Sequence, residues 1–323
     1  MRRVFPCVLV CLAAWSAIAG AQSLTYSRGQ NVSPAYEGWE EDPDGSRFFV
    51  FGYMNRNWEE ELDIPVGPEN SFSVGGADQG QPTHFLPRRN RFVFRVPVPK
   101  GFSDKDELIW TLASRGKVEK AFASLVPDYR IDGVVRASET GALGAGSSSP
   151  EVRANKAPSL EVQGQKRLTA KVGEPVTLSA IVMDDGIPKT RAVGAGAAVS
   201  NVGSSSTLSA SNRAQLEALR ARRLTMPPSR VTVGKIVGLH ASWFVYRGSG
   251  GVTFDQPQIA SWEDTRTGGN SPWAPLWTPP ELPEDGKVSV RATFHSEGEY
   301  VIRVRADDGA LTADGMVTVV VSR

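Results

Sequence analysis

The stretch SEGEYVIRVRADDGALTADGMVTVVV, residues 296–321, decides the fold of the second half of the chain. Tyr300 stands two residues after Gly298, where an alternating apolar run begins. Successive strand side chains point to opposite faces, so Tyr300, Ile302 and Val304 share one face and Val301, Arg303 and Arg305 the other. Asp307-Asp308-Gly309 then supplies turn residues, and a second alternating run follows. The stretch therefore reads as two antiparallel strands joined by a tight turn.

A tyrosine at the corner entering a strand, two residues before a core position, is the tyrosine corner of immunoglobulin-like sandwiches. Upstream segments supply the rest of the pattern. GEPVTLSAIV (173–182) places Val176, Leu178, Ala180 and Val182 inward, and GLHASWFVYRG (238–248) places Leu239, Ala241, Trp243 and Val245 inward. VSVRATFHSEGEY (288–300) does the same with Val288, Val290, Ala292 and Phe294, and GMVTVVVS (315–322) closes the series. In these features the region 158–323 resembles the immunoglobulin-like and polycystic-kidney-disease-type modules of exported proteins. The resemblance implies an antiparallel β-sandwich with Trp243 as the buried tryptophan of its third strand. Where that family often places a disulfide, this chain has Ala180 and Ile302.

Residues 24–130 alternate in the same manner, without a convincing helix. Phe49, Phe51 and Tyr53 share a face, as do Leu62, Ile64 and Val66, and Phe92, Phe94, Val96 and Val98. Leu108, Trp110 and Leu112 precede a hairpin turn at 114–117, and a second tight turn is expected at Asp42–Gly45. Six or seven short strands in such a length predict another antiparallel sandwich. YEGWEEDPDGS (36–46), FGYMNRNWEEELDIPVGPEN (51–70) and GQPTHFLPRRNRFVFRVPVP (80–99) resemble a recurring domain of exported bacterial proteins. That resemblance implies an exported context and carries no chemistry.

Two segments are mostly Gly, Ala and Ser and bury too little apolar area to offset chain entropy. Residues 137–157 read as a disordered linker, and those at 189–211 open a largely disordered insertion that extends over 189–235. The expected organisation is thus a signal peptide at 1–21, a sandwich at 22–136, the linker, and an immunoglobulin-like sandwich at 158–323. The insertion falls between the second and third strands of that sandwich. Closing so long a loop costs only about 2 kcal/mol more than closing a tight one. Within it, 211–223 could form a short helix capped by Asn212, with Gln215 at its third position.

The beginning of the chain, MRRVFPCVLVCLAAWSAIAGAQS, has a basic start, an apolar run and a small-residue exit at Ala19-Gly20-Ala21. That is the pattern of a secretory signal peptide; an uncleaved anchor is the alternative. Either way the body of the chain is expected outside the cytoplasm: periplasmic, at the cell surface or secreted. Cys7 and Cys11 both lie in this segment, so nothing after it can form a disulfide, a catalytic thiol or a cysteine-ligated metal site. Without Arg2 and Arg3 the basic residues number 34 against 35 acidic. So balanced a charge offers no field for nucleic acid or an anionic membrane.

Candidate chemistry is sparse. His84 sits in a proline-flanked loop, while His240 and His295 point outward by parity, and all three read as ordinary surface histidines. No nucleophile elbow, zinc-protease motif or phosphate loop occurs. Glu40, Glu41, Asp42 and Asp44 offer oxygens for calcium, but a Pro-Asp-Gly turn explains them better. Glu59, Glu60, Glu61 and Asp63 invite comparison with a glycosidase pair, yet adjacent strand residues alternate faces, so a solvated strand face is preferred. Trp262, Trp273 and Trp277 in a Pro- and Gly-rich loop either cap the sandwich core or stack on a sugar or protein partner. With Arg220, Arg222 and Arg223 of the insertion they form the candidate binding surface. No cofactor and no metal are expected. The expected role is a non-catalytic binding or structural protein of the cell envelope, contacting a protein or glycan. A carbohydrate-binding accessory module is the alternative.

Overall fold

The computed structural model describes residues 26–139, 150–188, 238–248, 251–261 and 281–323. Described residues form two antiparallel sandwiches.

The first is built from β1 (Val32–Glu41), β2 (Arg47–Asn55), β3 (Leu62–Asp63), β4 (Asn70–Phe72), β5 (His84–Phe85), β6 (Arg88–Pro97), β7 (Leu108–Ser114) and β8 (Lys117–Ala123). One sheet has the order β1-β2-β6 and the facing sheet β4-β7-β8, with β3 and β5 as a small third pair. Phe49, Phe51 and Tyr53 face the core with Phe72, Phe94, Leu108, Trp110 and Leu112. The core is strongly aromatic: Trp110 stacks on Phe72 and meets Phe94 and Phe51 edge-on. Both turns fall where the sequence puts them. Arg115 and Gly116 take positive φ in the two-residue β7–β8 turn, the conformation that matches strand twist. Asp44 accepts the amide hydrogen of Ser46, closing the turn at 42–46.

Alternation misplaces one residue. The β2–β6 register shifts between Phe51 and Tyr53, and Phe92 takes φ +50°. The irregularity turns Phe92 off the core face, where it lies under the Arg136 guanidinium, and brings Val93 into the core beside Phe94.

Of the stretch read as a linker, the structure describes the two ends and not 140–149. The chain crosses β1 through a bridge from Trp39 to Arg130, and Ile131 packs over Gly38. It then forms α1 (Gly133–Glu139) and α2 (Pro150–Ala154). Ala137 of α1 is buried against Ala310 of the second sandwich.

The second sandwich consists of β9 (Ser159–Val162), β10 (Arg167–Lys171), β11 (Pro175–Met183), β12 (His240–Arg247), β13 (Val252–Phe254), β14 (Lys287–Phe294), β15 (Gly298–Asp307) and β16 (Thr312–Ser322). Its sheets have the orders β9-β11-β14-β13 and β10-β16-β15-β12. The chain changes sheet between β9 and β10, and β10 runs parallel to β16. The remaining neighbours are antiparallel. This is the immunoglobulin-like strand order. The tyrosine corner is present: Tyr300 is fully buried, and its hydroxyl donates to the Ser296 carbonyl at 3.0 Å. Trp243 shares that core with Leu178, Ala180, Val290, Phe294, Ile302 and Val304.

Candidate functional site

On β12 and β15 the face turned away from the sandwich's own core, where parity puts Arg303 and Arg305, is largely covered as well. Tyr246, Arg303 and Arg305 point away from the sandwich's own core, yet none is more than 9% exposed. The first sandwich covers them. Tyr246 joins the first sandwich's aromatic core, and Val301 packs against it. The Tyr246 hydroxyl donates to the Gly80 carbonyl at 2.5 Å, and Thr83 N–H donates to the Tyr246 carbonyl. Arg247 grips the same loop through both oxygens of Asp78, at 2.7 and 2.9 Å, and through the Gln81 carbonyl.

Beneath this contact lies a charged network. Arg303 stacks 3.6 Å from the Tyr246 ring centroid and donates to the Val93 carbonyl at 2.6 Å. It also reaches Asp314 at 3.3 Å, while Arg305 holds both Asp314 oxygens at 2.8 Å. Burial pushes the Asp314 carboxyl up, but Arg305 and Arg303 outweigh it and hold the group below its ordinary value. A buried cation is costly unless paired and hydrogen-bonded. Here the first sandwich supplies one of its acceptors, so the charge ties one sandwich to the other.

A second polar cluster stands on the first sandwich. β3 pairs with β5, which sets Asp63 opposite His84. His84 is buried, not the surface histidine expected: Nδ1 lies 2.7 Å from Asp63 and Nε2 2.9 Å from Glu61. Burial opposes the charged imidazole, but the bonds to Asp63 and then Glu61 prevail and raise its pKa to about 9. With both nitrogens engaged, the ring has none left to act as a base. Glu61 and Asp63 also line an open cleft of about 500 Å³ with Glu69, Arg115 and Lys117. The solvated face expected over 59–63 is thus partly spent on a clamp. The carboxylates near 40–44 are spent as well: Glu40 pairs with Arg95 and Arg136, and Asp42 with Arg95. Among the described residues no three His, Asp or Glu side chains converge to hold a metal.

His240 does point off the core, but it is also covered, with Nδ1 bonded to the Gly238 carbonyl. His295 is exposed, as expected.

Strand registers gather two connections at one pole of the second sandwich. β14 ends at Phe294 and β15 starts at Gly298, so the end of β14 and the start of β15 share one pole. The opposite pole therefore holds Lys287, paired with Ile181 of β11, and Asp307, paired with His240 of β12. β13 runs antiparallel to β14 and heads for that same pole. The β11–β12 and β15–β16 connections meet there, and Gly238 N–H donates to the Asp308 carbonyl between them. The β13–β14 connection leaves beside Ala292, near the other end of β14, its Ser261 hydroxyl donates to Asn90 Oδ1 of the first sandwich at 2.8 Å, and it returns to the pole only at Lys287. Arg220, Arg222 and Arg223 belong to the β11–β12 connection and Trp262, Trp273 and Trp277 to the β13–β14 connection, and all six lie outside the described residues. The helix expected over 211–223 lies outside them too.

Fold and joint together define a protein of two docked sandwiches, the second immunoglobulin-like. No protein-family model and no curated protein matches the chain. Among solved structures it is similar to the eight N-terminal Ig domains of Down Syndrome Cell Adhesion Molecule, at 11% identity and a TM-score of 0.22, covering 90% of this chain and 27% of that one. The D00-D0 domain of Intimin gives 10% and 0.23, covering 90% and 100%. Fibronectin(III)-like modules of Clostridium thermocellum CbhA give 9% and 0.21, covering 90% and 94%. The chain thus spans about a quarter of the first of these. At such TM-scores the strand order, not the superposition, defines the class.

Proposed function

We propose that this is an exported, non-catalytic binding or structural protein of the cell envelope, which contacts a protein or glycan through the connections at one pole of its second sandwich. The export reading rests on the signal-like pattern of residues 1–21, followed by the sandwich, linker and sandwich organisation read from the sequence. Any membrane attachment is assigned to that segment alone. The observation that supports the binding surface best is strand register, which sets both ends of the arginine-bearing connection at one pole and returns the tryptophan-bearing connection to it at Lys287. Loops on a rigid scaffold are where sandwich domains usually carry recognition. A non-catalytic role is supported by how the polar side chains are used: His84, Asp314, Glu40 and Asp42 are engaged in ion pairs that hold the fold.

Crosslinking in the native envelope, followed by identification of adducts, tests the reading. A steady partner joined through residues 189–237 or 255–286 supports it; adducts only elsewhere on the surface contradict it. The carbohydrate-binding alternative rests on the three tryptophans in the β13–β14 connection. A glycan array separates the two readings. Sugar binding lost in Trp273→Ala and Trp277→Ala favours the alternative, and no sugar signal removes it.

A further inference from the structure

The cleft of about 500 Å³ beside the His84 clamp has firmly held walls, and neither the joint nor the pole uses it. One wall is β3 with Glu61 and Ile64; the other is the tip of the β7–β8 hairpin, from Ala113 to Val118. Ile64 N–H donates to the Thr83 carbonyl, so parity turns the N–H and C=O of Asp63 away from β5, along the free edge of the two-stranded pair. Asn70, fully buried, braces the first wall by donating to the Ile64 and Pro82 carbonyls and accepting from Trp110 Nε1. The hairpin tip is braced by Val32 N–H, which donates to Ser114 Oγ, and by the pairing of Arg115 with Glu60. A pocket held in this way loses little entropy when it is filled.

The charges of the cleft do not cancel. Both His84 nitrogens face carboxylate oxygens, which only accept, so the ring donates from both and is an imidazolium. Its single charge is shared by Glu61 and Asp63. Arg115 is taken by Glu60, and Lys117 balances Glu69 in charge. One negative charge is left over. Leu62, Ile64, Ala113 and Val118 make the rest of the lining apolar. The apolar surface continues past the rim. Ala113 and Val118 are paired across β7 and β8, as are Ile109 and Phe122, on the sheet face opposite the core residues Leu108, Trp110 and Leu112. On that outer face Val118 and Phe122 are 64% and 50% exposed, with Lys120 between them.

We propose that this cleft receives an arginine side chain of a partner protein, with the guanidinium on Glu61, Asp63 and Glu69 and the apolar residues that flank it on Val118 and Phe122. A guanidinium supplies the missing positive charge and a fork of donors for more than one carboxylate, while its aliphatic stem suits Leu62 and Ile64. The free edge at Asp63 offers the partner's backbone one donor and one acceptor. The contact lies on the first sandwich and does not depend on what the pole of the second one binds.

Amide chemical shifts of the full chain, followed by NMR, test it with three probes: N-acetyl-arginine amide, its neutral isostere N-acetyl-citrulline amide, and an acetylated Leu-Arg-Leu amide. The arginine amide is expected to shift Asp63, Ser114, Gly116 and Lys117 saturably, and the citrulline amide to leave them in place. The leucine-flanked peptide is expected to bind about tenfold tighter. Phe122→Ser is expected to remove that gain and keep the binding of the arginine amide. Glu69 is exposed and holds the fold only through its carbonyl, which accepts Ala113 N–H. Glu69→Gln is therefore expected to weaken the arginine amide severalfold, and Glu69→Lys to abolish its binding. Absence of saturable shifts, equal shifts with the citrulline amide, or unchanged affinity in Glu69→Lys overturns the proposal. So does stronger binding of N-acetyl-glutamate amide, which would assign the cleft to Lys117 and an acidic partner.

Discussion

Arg303 lies against the ring of Tyr246, its guanidinium carbon 3.6 Å from the centroid, and both residues face away from the core of the sandwich that carries them. The pair turns an outer sheet face into an interior. Tyr246 supplies apolar area to the first sandwich, and Arg303 supplies a donor to its Val93 carbonyl. Such a contact is stronger than an ordinary polar interdomain interface, because parting the sandwiches strands a cation and exposes an aromatic ring.

Arg303→Ala is therefore expected to destabilise the chain by about 3 kcal/mol, read as a lower urea midpoint. Arg303→Met, which keeps much of the stem and removes the charge, is expected to cost clearly less. Equal costs would assign the effect to the ion and its hydrogen bonds rather than to the packing of the stem.

The outer grip should matter little by comparison. Asp78 is 55% exposed where it meets Arg247, and exposed pairs contribute about 0–1 kcal/mol. Asp78→Asn is expected to shift the urea midpoint only slightly, and added salt is expected to shrink the difference further.

At the tyrosine corner a glycine is required by space as well as by conformation. Gly248 has φ +135°, and a Cβ there would lie 2.5 Å from Tyr300 Cδ1. Gly248→Ala is expected to cost about 2 kcal/mol or more in chemical denaturation. Tyr300→Phe, which leaves the Ser296 carbonyl without its hydroxyl donor, is expected to cost about 1 kcal/mol.

His84 gives a pH dependence of definite sign. Its pKa is raised from 6.5 to about 9, so the stabilisation is complete below about pH 6.5 and is lost as pH rises through 9. The carboxylates are 36% and 47% exposed, so screening limits the effect to about 2 kcal/mol. Urea midpoints measured from pH 6.5 to 9.5 are expected to fall for the wild type. They should fall less for His84→Gln.

Much of this architecture is legible in residue order. Tyr300 after Gly298, Trp243 in an alternating strand and the apolar faces of β11 and β14 identify the second sandwich without any long-range information. What alternation cannot convey is what covers the other face. Arg303 and Arg305 read as solvent-facing because a period of two separates faces but does not name their neighbours. Phe92 misleads for a local reason, since an irregularity shifts its parity. The His84 clamp was partly within reach: Glu61 and Asp63 are two apart on a strand and share a face. Only the β3–β5 pairing shows that a histidine lies opposite. The tryptophans and arginines of the candidate surface were found by composition, and pairing register adds the pole from which the arginine-bearing segment leaves and to which the tryptophan-bearing one returns.

The most direct measurement of the central claim, that the two sandwiches are docked through the Tyr246 and Arg303 face, is exchange of the bridging amides. Thr83 N–H donates to the Tyr246 carbonyl and Gly248 N–H to the Thr83 hydroxyl. Docked sandwiches predict that both amides exchange far more slowly than exposed loop amides, and that Arg303→Ala speeds both together. Exchange of both at the rate of an unprotected chain, with each sandwich otherwise protected, would contradict the account.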